Sequence, residues 1–220
     1  MHRKSYFSDG YWLWYHNGVS AKEIKLKACN ETYDFLRESL GNLSLNELIN
    51  TVKKDDTAQQ KVVKAMQDKL NCIRAIVLPK EMRLALSIIE GSLDHHKPDT
   101  ALSLNLTTTT GKWMVFLGRD IYKNVFTEVV QNLQGKSLDY TAKTLASPGV
   151  NERECPLIFY VPSFLAPQLI IETAISIIEV LTRNNIAKRP LMFKPDSFTY
   201  MNIYHETASI KPYIFICCRH

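Results

Sequence analysis

The sequence predicts an α+β fold in which one curved, mainly antiparallel sheet carries helices packed on one face. Three observations predict it. The 220 residues are 45% hydrophobic and 22% charged, the balance of an ordinary globular chain long enough to bury a core without staples. The second half alternates short apolar runs with amphipathic ones in the order strand, helix, strand, strand, helix, strand. That order does not fit an α/β barrel, and the chain is short for a doubly wound nucleotide fold. Helices on one face of an antiparallel sheet are the economical solution.

The elements follow in order. Tyr11-Trp12-Leu13-Trp14-Tyr15 is an aromatic run closed by Asn17-Gly18, so it reads as a strand entering a turn. Glu31 to Leu40 carries Phe35, Leu36 and Leu40 at near-helical spacing and stops at Gly41. Ser44, followed three residues later by Glu47, is a capping-box pattern that opens a second helix. Thr57 to Cys72 is amphipathic, with Val62, Val63, Met66 and Leu70 on one face and Lys61, Lys64 and Lys69 in solvent. Beyond Pro79, Glu81 to Glu90 reads as a helix ended by Gly91. The polar stretch from Ser92 to Thr110 reads as a long loop, a feature that is often functional.

In the second half, Trp113 to Leu117 is a strand, and Ile121 to Leu133 is a helix with apolar residues four apart. Tyr140 to Leu145 is strand-like. Pro156 to Val161 is apolar almost throughout, as in a central strand buried on both faces. Ala166 to Thr182 is a long helix, and Pro190 to Phe193 and Tyr213 to Cys217 are strands. No repeat of solenoid period and no linker divides the chain, so residues 1–220 read as one domain.

The totals narrow the function classes. A formal net charge of +5 permits an anionic partner without demanding one. The five cysteines, Cys29, Cys72, Cys155, Cys217 and Cys218, are odd in number and share no recurring spacing, which fits reduced thiols in the cytoplasm or nucleus. No apolar stretch of signal-peptide or membrane-spanning length occurs, so no membrane association is expected. His95-His96 lacks a third ligand at a recognisable spacing, and neither a metal nor another cofactor is expected. There is no nucleophile elbow, phosphate-binding Gly-rich loop or His-Glu-x-x-His motif.

From Thr110-Gly111-Lys112-Trp113 onward the sequence resembles a known family. The match continues through Ala142-Lys143 and is strongest at Phe193-Lys194-Pro195-Asp196, Thr199-Tyr200 and Ile203-Tyr204. These residues resemble the basophilic-leukaemia-expressed protein family. The resemblance covers residues 111–220, whereas residues 1–110 diverge from it. It implies a fold similar to the mRNA cap-binding translation initiation factors. Those factors carry a Trp-rich first strand, which Trp12-Leu13-Trp14-Tyr15 approximates, and a Gly-(Arg/Lys)-Trp strand start, which Gly111-Lys112-Trp113 resembles. Trp12, Trp14 and Trp113 are then expected as scaffold residues, which leaves no tryptophan for a cap sandwich.

The phosphate side is better kept. The resemblance places Lys112 and Lys143 where the initiation factors hold cap phosphates, and Lys194 comes with the family's own string. Three lysines from separate strands form an anion pocket by Coulomb attraction, or else guard strand edges against pairing. Asp196 reads either as a ligand contact or as Pro-Asp turn chemistry. Tyr200 and Tyr204, four apart in an extended segment, would share one face and stack on a base or sugar, or else belong to the core. The expected function is a non-catalytic module that binds a phosphate-bearing ligand, a nucleotide or an RNA end, on the concave sheet face. One alternative is a protein-interaction module using the helices from Thr57 to Glu90. The other is a lysine-dependent, phosphothreonine-lyase-like enzyme, to which Lys112-Trp113 and Lys194-Pro195 bear a short likeness although its histidine-bearing strand motif is missing.

Overall fold

The computed structural model describes residues 5–17, 20–90, 108–186, 188–204 and 209–217. Eight strands form one curved antiparallel sheet: β1 (Ser5–Ser8), β2 (Trp12–His16), β3 (Ala75–Val77), β4 (Gly111–Gly118), β5 (Thr141–Leu145), β6 (Glu154–Val161), β7 (Leu191–Pro195) and β8 (Phe215–Cys217). Their order across the sheet is β1-β2-β5-β6-β4-β7-β8-β3. The helices are α1 (Ser20–Leu40), α2 (Leu45–Lys54), α3 (Asp56–Leu70), α4 (Pro79–Ser87), α5 (Tyr122–Gly135), α6 (Pro167–Arg183) and α7 (Asp196–Tyr200). The α+β class and the one-sided packing of helices therefore hold.

Strand side chains alternate between faces, so the cross-strand register sorts the residues into two sets. Trp113, Val115 and Leu117 of β4 point toward the helices together with Leu157 and Phe159 of β6 and Phe193 of β7, and all are buried. Trp113 donates from Nε1 to the Ile170 carbonyl of α6 at 3.2 Å, and Phe126 of α5 stacks on Phe159. The opposite set, Lys112, Met114 and Phe116 of β4 with Met192 and Lys194 of β7, faces away from those helices.

Local chemistry explains most boundaries. Ser44 and Glu47 form the complete capping box at the start of α2. Asp55 caps α3 by accepting from Thr57 and Ala58. Pro79 stands in the first turn of α4, where its missing N–H costs nothing. Gly41 ends α1 with φ +107°, a conformation that disfavours any side chain.

The structure extends three expectations. The first helix begins at Ser20 rather than Glu31, because Ile24, Ala28 and Thr32 continue its buried stripe. Thr32, fully buried, donates to Ser163 Oγ at 2.8 Å, and a polar residue in the stripe hides the apolar period. β1 and β3, the two sheet edges, are too short to show a pattern of their own. β6 is central as expected, but its Pro156 and Tyr160 remain partly accessible on the face away from α5 and α6. The Gly18 of the expected turn, Gly91, His95-His96, most of the polar 92–110 stretch and Cys218 lie outside the described residues.

Candidate functional site

The uncovered face of the sheet holds a pocket of about 550 Å³. Lys112, Lys143 and Lys194 all line it, with Trp12, Tyr204, Tyr213, Thr199 and an apolar floor that includes Met114, Phe116 and Met192. The three lysines stand on β4, β5 and β7. All three are interior strands, so the edge-guarding role is overturned: each strand is already paired on both sides.

Lys112 occupies the centre. It is paired across β4–β7 with Lys194 and across β4–β6 with Tyr160. Its ammonium sits 2.5 Å from Asp196 Oδ1 and donates to Thr199 Oγ1 at 3.2 Å. Asp196 and Thr199 are three apart on α7, so they stand on the same helical face beside the sheet. The Asp-x-x-Thr spacing is thereby given a physical reason: the helix carries both acceptors to one buried lysine. Asp196 is an internal counter-ion here, and its backbone N–H also closes onto the Thr110 carbonyl at 2.9 Å.

Lys194 is 5% exposed and donates to the Ile203 carbonyl at 2.9 Å, and its ammonium lies 4.2 Å from the Tyr204 ring centre. Burial, with the Lys112 charge as the second cause, pulls its amine down to about 8. Lys143 is pulled down by the same two causes, burial first. Its ammonium lies over Trp12 and Trp14, at 4.2 and 4.4 Å from the ring centres. Trp12 and Trp14 thus differ from Trp113. Only Trp113 is the fully buried scaffold residue, while the other two are half-buried on the uncovered face beside a cation.

Asp9 fixes that aromatic corner. In the β1–β2 turn its carboxylate accepts from the Tyr11 and Trp12 N–H groups and from Trp14 Nε1, and these bonds, Trp12 first, hold its carboxyl below the usual range. Trp14 in turn stacks between Phe7 and Tyr160, at 6.1 and 6.4 Å. Neither Asp9 nor Tyr160 was singled out from the sequence. The usable signal was the phase of alternation, since a lysine at one position of a strand marks every second residue as sharing its face.

The two tyrosines part company. Residues 196–200 form α7, not an extended segment, so Tyr200 and Tyr204 do not share a strand face. Asn202 adopts the left-handed conformation at φ 54°, Ile203 N–H bonds to the Phe198 carbonyl, and Asn202 N–H bonds to that of Thr199. This is a Schellman closure, secured by the buried pair Phe198 and Ile203, and it stops the helix after little more than one turn. Tyr204 then returns to the pocket, while Tyr200 is 82% exposed and does not line it.

Gly111 explains the start of β4. A Cβ there would lie 2.4 Å from Phe193 Cε1 and 3.0 Å from the Lys194 carbonyl, so the close β4–β7 approach beside the lysine pair requires glycine. Among the described residues no group of three His, Cys, Asp or Glu is placed to hold a metal ion, and no helix is long and apolar enough to cross a membrane. No protein-family model matches the chain, and no curated protein matches it.

Proposed function

We propose that this chain is a non-catalytic binding module of cap-binding-like fold that holds a phosphate-bearing ligand on the uncovered sheet face. One observation carries the reading: three lysines from three strands line one pocket, and among the described residues no carboxylate lines it with them. Asp196 neutralises Lys112 from the side, which leaves Lys143 and Lys194 held by aromatic rings and a backbone carbonyl. Burial first and the Lys112 charge second depress both amines, and an anion that enters offsets both by favouring the charged forms. A nucleotide or an RNA end is the ligand that the family resemblance implies, with the cytoplasm or nucleus as the place.

Isothermal titration and thermal shift with pyrophosphate, nucleoside triphosphates, cap analogue and a 5′-triphosphate RNA at two salt concentrations test it. Saturation at a hundred times Kd stabilises the fold by about 2.7 kcal/mol. The double variant Lys143→Met/Lys194→Met is the control, because removal of Lys112 would strand Asp196. Binding that survives this variant unchanged defeats the reading. No stabilisation by any of these ligands would favour the interaction module.

A second reading has its own observation. An amine held near pH 8 is suited to general-base work, so Lys194 supports a lysine-dependent elimination from a phosphoamino acid. Alkene formation from a phosphothreonine peptide, lost in Lys194→Met, would establish it; intact peptide after prolonged incubation would dismiss it.

A further inference from the structure

The cations occupy one end of the pocket, and the floor beyond them is apolar. From β6 outward the cross-strand register joins Ile158, Met114, Met192, Ile216 and Ile76 into one continuous row across five neighbouring strands. Phe116 and Pro156 form a second apolar pair beside it. Met114 is two residues from Lys112 on β4, and Met192 is two residues from Lys194 on β7. The apolar row therefore starts about 7 Å from the cationic one. Phe116 and Ile76 are 37% and 52% exposed, so the row opens to solvent at the far end.

A nucleobase edge would bury donors and acceptors that need partners. The apolar lining of the pocket is Met114, Met192, Phe116, Ile158, Pro156 and Pro212, and the row runs on to Ile216 of β8 beyond it. Among the described residues, the hydroxyl-bearing ones that line the pocket are Thr199, Tyr204 and Tyr213, and Thr199 is already engaged by Lys112. A volume near 550 Å³ falls within the ~300–1,000 Å³ of ordinary small-ligand sites.

We propose that the ligand is an anionic amphiphile, a phosphate monoester seated at Lys112, Lys143 and Lys194 whose single apolar chain lies along Met114, Met192 and Ile216. The inference rests on the phosphate-site reading and concerns the group attached to the phosphate. A straight-chain acylglycerol phosphate without a headgroup and a prenyl phosphate share this chemistry.

The test is a titration series of ethyl, butyl, hexyl and octyl phosphate, each below its aggregation concentration, beside pyrophosphate, GTP and farnesyl phosphate. Affinity is expected to rise about fourfold per added methylene until the row is covered. Met114→Gln/Met192→Gln should flatten that rise, and Lys143→Met/Lys194→Met should weaken every member together. Farnesyl phosphate binding at least as tightly as octyl phosphate identifies the prenyl arm, and the reverse order identifies the straight-chain arm. Short phosphates or GTP that bind as tightly as octyl phosphate overturn the amphiphile while the phosphate site stands. A series in which no phosphate binds overturns both. The chain-length series on the unaltered protein needs no variant to fold.

Discussion

The two faces of strand β4 differ by one residue step and obey different rules. Trp113, Val115 and Leu117 face the helices and are fully excluded from water. Lys112, Met114 and Phe116 face the pocket, and of the three Lys112 alone is buried, at 8% exposure. The covered face is held by apolar area and by one hydrogen bond from Trp113. The uncovered face keeps charges in place through Asp196, Thr199, the Ile203 carbonyl and aromatic rings. The contrast teaches that the first face stores stability, whereas the second spends some of it on burying cations.

Truncation of the covered face should produce the largest effect. Trp113→Ala should cost about 4 kcal/mol in denaturant unfolding, because it empties a site packed against Phe193 and Phe215. Trp12→Ala, on the uncovered face, should cost about 1 kcal/mol by the same measurement. Similar losses for the two would erase the distinction. Next comes Asp196→Asn, which strands the Lys112 ammonium and should cost about 3 kcal/mol, while anion affinity rises several-fold in titration. Gly111→Ala should cost about 2 kcal/mol, because its Cβ overlaps the Phe193 ring and that ring has buried neighbours on its other side.

Smaller effects sharpen the electrostatic half. The folded amine of Lys194 lies below its unfolded value, so the folded state binds fewer protons from about pH 8 up to the ordinary lysine value. Stability should therefore rise with pH through that window relative to Lys194→Met, as equilibrium unfolding at several pH values would show. Anion affinity runs the other way. It should be flat below about pH 8 and fall by up to tenfold per pH unit above it, as the ammonium that faces the anion is lost. The least effect belongs to Lys143→Met, about 1 kcal/mol or less, since a partly exposed cation over two indoles contributes little net.

Much of this was legible in the sequence. The capping box at Ser44 and Glu47, the amphipathic stripe of α3, the strand at Trp113 to Leu117 and the helix from Ile121 all rest on contacts within a few residues. Lys112, Lys143 and Lys194, which the family resemblance singled out, line one pocket. The rest was hidden for identifiable reasons. The early part of α1 is masked by Thr32, which is buried only because Ser163 meets it from another element. A shared face for Tyr200 and Tyr204 required an extended segment after Pro195, yet the bond from Ile203 N–H to the Phe198 carbonyl closes α7 and separates the two. The ammonium-over-indole arrangement joins residues some 130 positions apart in the chain, Trp12 and Trp14 with Lys143, a distance no local pattern spans.

By itself the sequence determined the class of fold and most of its longer elements, because hydrophobic spacing and capping act locally. Only the tertiary structure decided which strand neighbours which, and therefore that three lysines share one face and that one of them is matched by Asp196. Register is set by many weak contacts summed across the sheet, and a slip of one residue would have sent the same lysines into the core.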